Sequence, residues 1–278
     1  MNELITKAKQ MLQDAEVGVV IGYERKDGRT VATPFFAQNP TEAEHLIFDS
    51  ACHTNLATYL TREDHASLGR PAVVVKDADM RAVIALVQEG QLEADGVVLL
   101  SVSCDEMGTA NASCCFNGAM SVAEAAKWLT EKYPDKNISA DKMALVDKLE
   151  AMSDQDRWDF WEKEFSRCIR CYACRQACPL CYCRQCIVEK NQPQWIMPGI
   201  HPAGAMAWNI TRAFHLAGRC VDCGECERVC PMDIPLTALN RKLARTVADH
   251  FDYAPGFDPE AKPVMANFKH DDKQEFFK

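Results

Sequence analysis

Two cysteine runs carry the chemistry of this 278-residue chain. The first is Cys168, Cys171, Cys174, Cys178 and Pro179; the second is Cys220, Cys223, Cys226, Cys230 and Pro231. Both follow C-x2-C-x2-C-x3-C-P, the spacing that holds a [4Fe–4S] cube. The first three thiolates wrap one cube within a single loop. The fourth reaches away, and where two such runs share a domain it ligates the other cube. The expected pairing is therefore Cys168, Cys171 and Cys174 with Cys230, and Cys220, Cys223 and Cys226 with Cys178. Structural zinc uses C-x2-C pairs set well apart, and disulfide frameworks belong to short secreted chains. Neither matches a run that repeats in full with its proline.

A cube held by four thiolates has no open coordination position. It accepts and passes one electron at a time and offers no place for substrate chemistry. Crossed ligands hold two cubes close together, so the expectation is a segment of a wire. From Cys168 to Cys230 there are seven basic residues (Arg170, Arg175, Arg184, Lys190, Arg212, Arg219, Arg228) and four acidic ones (Glu189, Asp222, Glu225, Glu227), within a chain of net charge −9. Positive charge near an anionic cube favours its reduced form and draws an acidic partner. An ordinary solvated surface gives the same count.

Seven of the fifteen cysteines remain. CPLCYCRQC places Cys181, Cys183 and Cys186 directly after the first run, a candidate third metal site that is one thiolate short of closure. A fourth ligand could come from Cys104, at the end of an expected strand, or from Cys114 and Cys115 in the loop after it. For these three the alternatives are a thiol facing a flavin and plain burial. Cys52 reads as a buried apolar residue. His201 and His215 flank a helix between the runs and read as structural.

The elements that must position these residues divide the chain in three. Residues 1–150 alternate strands (17–23, 31–37, 72–76, 96–103) with helices (3–14, 41–48, 55–61, 78–89, 122–132, 142–151), which reads as an α/β domain with a largely parallel sheet. AVVVK and GVVLLSVS are unbroken apolar runs, as in strands covered on both faces. No GxGxxG or GxxxxGK[ST] motif is present. Residues 151–251 read as a mainly helical, ferredoxin-type dicluster domain with a helical insert. Within it, Asp154–Ser166 is a helix capped by Ser153, with Trp158, Trp161 and Phe165 on one apolar stripe. QPQWIMPGIHPAG is a loop, AMAWNITRAFHLAG a helix closed by Gly218, and LTALNRKLARTVADHF a further helix. Residues 252–278 read as an extended tail, either loosely ordered or, given Phe257, Phe268, Phe276 and Phe277, an arm laid on a partner.

The first residues form an amphipathic helix pattern and lack the apolar core of a signal peptide. With thiol-rich motifs, that points to a reducing cytoplasm and an anaerobe. No apolar run is long enough to span a membrane, and the negative charge argues against nucleic acid.

SRCIRCYACRQACPLCYCRQC and RAFHLAGRCVDCGECERVCPMDIPL resemble the coenzyme F420 hydrogenase and formate dehydrogenase beta-subunit family. The resemblance covers residues 153–240. It extends more weakly to TPFFAQNPTEAEHLIFD and VVLLSVSCDEMG. It implies an electron-transfer subunit of a cytoplasmic complex, beside heterodisulfide-reductase-like, hydrogenase or formate dehydrogenase subunits. It carries over the eight cluster cysteines and no flavin residues, and the family's N-terminal cysteine-rich segment has no counterpart before Cys52. Three functions are expected in order. The first is a non-catalytic relay of single electrons between partner subunits. The second is a flavin (FAD) subunit that oxidises or reduces F420 or NAD(P)H, with the clusters as outlet. The third is a docking scaffold without a catalytic cofactor.

Overall fold

Five strands form one sheet at the start of the chain: β1 (Val19–Glu24), β2 (Thr33–Ala37), β3 (Pro71–Val75), β4 (Val98–Cys104) and β5 (Cys114–Met120). The computed structural model describes residues 2–26, 29–62, 67–105, 107, 112–136 and 138–266. The strand order is β2-β1-β3-β4-β5. β1, β3 and β4 pair in parallel, and β2 and β5 close the two edges antiparallel. The sheet is thus mixed, with the expected parallel strands at its centre. Val73, Val74, Leu99 and Leu100 are fully buried, as unbroken apolar runs require when both faces are covered.

β5 occupies part of the segment read from sequence as a loop. CCFNGAM has few strand-favouring residues, and its place is set by pairing with β4 from Leu99↔Met120 to Cys104↔Cys114, with an irregularity at Ser101/Val102. Within that segment, residues 106 and 108–111 lie outside the described residues.

α1 (Asn2–Gln13) buries Leu4, Ala8 and Met11. α2 (Asp77–Gln88) makes the β3–α2–β4 crossover, and α3 (Val122–Lys132) starts at a capping box in which Ser121 and Glu124 satisfy each other's backbone N–H. The helices expected at 41–48 and 55–61 shrink to single 3-10 turns, Glu42–His45 and Leu56–Tyr59.

The second half is mostly helical: α4 (Ala140–Glu150), α5 (Asp154–Ser166), α6 (Ala173–Gln176), α7 (Pro202–His215), α8 (Glu225–Arg228) and α9 (Leu236–Phe251). Ser153 caps α5 as expected, accepting the Asp156 N–H at 3.1 Å. The aromatic stripe holds only in part. Trp161 stacks on buried Phe165, while Trp158 is 51% exposed.

Of the four tail phenylalanines, Phe257 packs on its own chain and not on a partner. Phe257 is 4% exposed and lies under the Arg81 guanidinium, 4.5 Å from ring centroid to Cζ. Gly256, at φ +82°, fits there because a Cβ would stand 2.4 Å from the Arg81 carbonyl oxygen. Phe268, Phe276 and Phe277 lie outside the described residues.

Candidate metal centre

The two cysteine runs are 52 residues apart and fold as copies. In each, the second residue after the first cysteine has positive φ (Arg170 at 54°, Asp222 at 56°), and so does the residue two further on (Tyr172 at 58°, Gly224 at 76°). A single helical turn follows, α6 or α8, with matching backbone bonds: Gln176 to Tyr172 and Arg228 to Gly224, each at 3.1 Å. Alternating right- and left-handed backbone turns N–H groups inward and makes a concavity suited to an anion. The anionic cube implied by the spacing fits that donor set.

The cysteines separate into two environments. Cys168, Cys174 and Cys230 pack around Phe165, Trp208 and Ile234, whereas Cys178, Cys220 and Cys223 pack against the core that includes the N-terminal sheet. A small enclosed cavity is lined by Cys178 together with Cys220, Cys223 and Cys226. Cys178 therefore faces the cysteines of the opposite run. Cys226 joins the two environments, since it also packs with Cys174.

Burial pushes the thiols of Cys174 and Cys220 up to about 11 and that of Cys226 to about 12. Cys223 is raised by burial as well, and Cys178 by its hydrogen bond with Cys181 and then by burial. Cluster insertion must displace these protons, because the thiolate is the ligand.

Arg212 of α7 is buried between the two sets, and its Nη2 donates to the Cys174 carbonyl at 3.0 Å. Burial works against its charge, but Cys178, Cys181, Cys226 and Cys174 hold it more firmly protonated than a free guanidinium. His201 sets the helix that carries Arg212. Its Nδ1 accepts the Gly204 N–H at 3.1 Å, with Pro202 in the first turn. Arg212 was legible as one positive charge but not as a central one. The available signal is its place four residues after Trp208, on the inward face of an apolar helix. Asn240 of α9 was also missed; its Nδ2 donates to the Cys226 sulfur at 3.6 Å.

Of the remaining cysteines, Cys181 and Cys183 line one pocket together with Cys178. Cys181 lies with Cys178, Cys186 packs with the Cys168 set, and Cys183 is exposed. Cys104 and Cys114 are disulfide-bonded across β4 and β5. In that state neither thiol is available to a metal, unlike the role considered from sequence. Cys115 is exposed beside Ser103. Cys52 is buried, and its sulfur accepts the Asp49 N–H, as a structural residue would.

Residues 167–235 match the family described as "4Fe-4S dicluster domain". That domain implies two [4Fe–4S] clusters and makes this an iron–sulfur electron-transfer region. The chain is similar to F420-dependent formate dehydrogenase subunit beta of Methanocaldococcus jannaschii, at 38% identity over 105 residues, 38% of this chain and 27% of that protein. It is also similar to F420-dependent formate dehydrogenase 1 subunit beta of Methanococcus maripaludis, at 32% over 139 residues, 50% of this chain and 30% of that protein. The matched region is under a third of the length of either relative. Among the described residues, no helix is long and apolar enough to cross a membrane.

Proposed function

We propose that this chain is an electron-relay subunit of an oxidoreductase complex. One cluster is held by Cys168, Cys171, Cys174 and Cys230, and the other by Cys220, Cys223, Cys226 and Cys178. The observation that carries the reading is the cavity lined by Cys178 and the first three cysteines of the opposite run. A bound cube supplies one-electron storage and transfer. The chain's residues hold it, exclude water through Phe165, Trp208 and Ile234, and set its charge environment through Arg212. The names of the similar proteins favour partner redox subunits of the formate dehydrogenase type.

Anaerobically reconstituted protein should contain about eight iron and eight sulfide per chain. C178S should damage the cluster held mainly by Cys220, Cys223 and Cys226. Damage confined to the Cys168 cluster would remove the crossed assignment.

A second reading, a flavin beside the clusters, is favoured by a cavity of about 310 Å³. It is lined by Arg81, Lys136, Met143, Cys220 and Tyr253, among others, and so opens beside the second run. Among the described residues, the buried Arg81 Nε has no hydrogen-bond partner. Flavin bands in the visible spectrum of native protein would support this reading. A broad iron–sulfur shoulder alone favours the relay.

A further inference from the structure

Arg81 belongs to α2 of the N-terminal half, yet its guanidinium stands at the second cysteine run. It lines the cavity of about 310 Å³ together with Cys220 and Asp222. Burial works against its charge, while Cys220, Asp222 and Cys223 favour it. An arginine keeps its proton in such a setting.

The groups that hold Arg81 carry no charge. Its Nη2 donates to the Pro255 carbonyl at 3.1 Å, and its Cζ lies 4.5 Å from the centroid of the Phe257 ring. The backbone is tied to α2 on both sides of Phe257. The Gly256 N–H donates to the Gln88 Oε1 at 3.0 Å, and the Gln88 Nε2 donates to the Asp258 carbonyl at 2.6 Å. The tail thus clamps the cation in one place and covers it.

The other charges around the second run have ionic partners or face solvent. Asp222 pairs with Arg241 at 2.6 Å and Lys142 at 3.0 Å, Glu225 with Arg228 at 2.6 Å, and Arg245 with Asp147 at 2.5 Å. Lys136 and Asp249, on the cavity wall, are exposed and opposite in sign. Glu227 opposes Arg81, but it acts on Cys226, where buried Arg212 acts as well. Arg81 is therefore a cation beside Cys220 and Cys223 that its bonded partners do not cancel.

A cube gains one negative charge when it is reduced. A fixed cation in a poorly solvated place lowers the energy of the reduced form and so raises the midpoint potential. Exposed ion pairs are screened and do little.

We propose that Arg81 is a potential-setting residue for the cluster on the second run, and that the α/β half raises the potential of that cluster through it. The proposal rests on the two-cluster reading above. It gives the N-terminal half a part in electron transfer that needs no cofactor of its own. Reduction adds one electron to the cube, supplied by a one-electron donor, and no bond or proton moves.

The test is a stepwise reductive titration of the reconstituted full chain, followed by electron paramagnetic resonance. The signal of the second-run cluster is identified by its loss in C223S. R81Q should shift the midpoint potential of that cluster down and leave the other in place. R81K keeps the charge and should stay closer to native. An unchanged potential in R81Q with about eight iron would overturn the proposal and leave the two-cluster reading intact. An equal fall in R81K and R81Q, which marks lost packing, or a shift confined to the Cys168 cluster, would overturn it too. Fewer than about four iron per native chain would sink both. If R81Q loses iron, R81M, which keeps an apolar side chain against Phe257, takes its place. Iron lost from R81Q, R81M and R81K alike marks Arg81 as structural and counts against the proposal, whereas iron retained by R81K alone supports it.

Discussion

The Glu89 carboxylate, just past the end of α2, accepts the Arg219 Nε–H at 2.9 Å, and Arg219 is the residue directly before Cys220. The same carboxylate accepts the Tyr182 hydroxyl at 2.9 Å from the segment after the first cysteine run. One buried acid of the N-terminal half thus fixes both runs. E89A leaves the Arg219 cation and the Tyr182 hydroxyl without their shared acceptor, and should cost about 2–3 kcal/mol. Denaturant unfolding of the reconstituted protein measures the loss. Absorbance bleaching in air should be faster than in the native chain, and E89Q, which keeps one acceptor oxygen, should recover part of the difference.

Asn240 donates to the Cys226 sulfur from within the core, where the hydrogen bond favours the more negative, reduced cluster. N240L should keep full iron content and lower one midpoint potential, that of the cluster on the Cys220 side. An unchanged pair of potentials would show that the contact has no electronic effect.

The Cys104–Cys114 bond closes a short loop between β4 and β5. Thiol alkylation of denatured, demetallated protein before and after reduction should differ by two groups. C104S/C114S should lose about 2–3 kcal/mol of stability under oxidising conditions, and nothing comparable in a reducing buffer. Equal thiol counts would show that the pair is a dithiol.

Phe257 is a fully packed side chain beneath a guanidinium, and F257A should destabilise the chain by about 3 kcal/mol. Limited proteolysis should then cut after residue 252 under conditions where the native chain resists.

The strands were legible because Ala72–Lys76 and Gly96–Ser103 are unbroken apolar runs, and the structure places β3 and β4 within a residue or two of those limits. Val122–Lys132 and Asp154–Ser166 were legible to the residue because each begins at a serine cap. β5 was not, since CCFNGAM owes its conformation to the neighbouring β4 and not to its own side chains. The spacing pairs Cys178 with the second run, and the structure shows these cysteines lining one cavity, while their ligation of a common cube stays a proposal. Arg212, Asn240 and Glu89 were not legible, because what makes each matter is a partner far away in sequence. Phe257 misled for the same reason. An aromatic residue in a proline- and glycine-containing tail looks unclaimed until Arg81 comes into view.

The contact between Arg81 and Phe257 also orders events during synthesis. Every cluster cysteine leaves the ribosome before Phe257 does, and Tyr253, Ala254 and Pro255 are part of the wall of the cavity beside Cys220. The last wall of that chamber is therefore the last part of it to be made. A nascent chain presents the second cysteine run with this side still open, and closes it once the segment through Phe257 folds back onto α2.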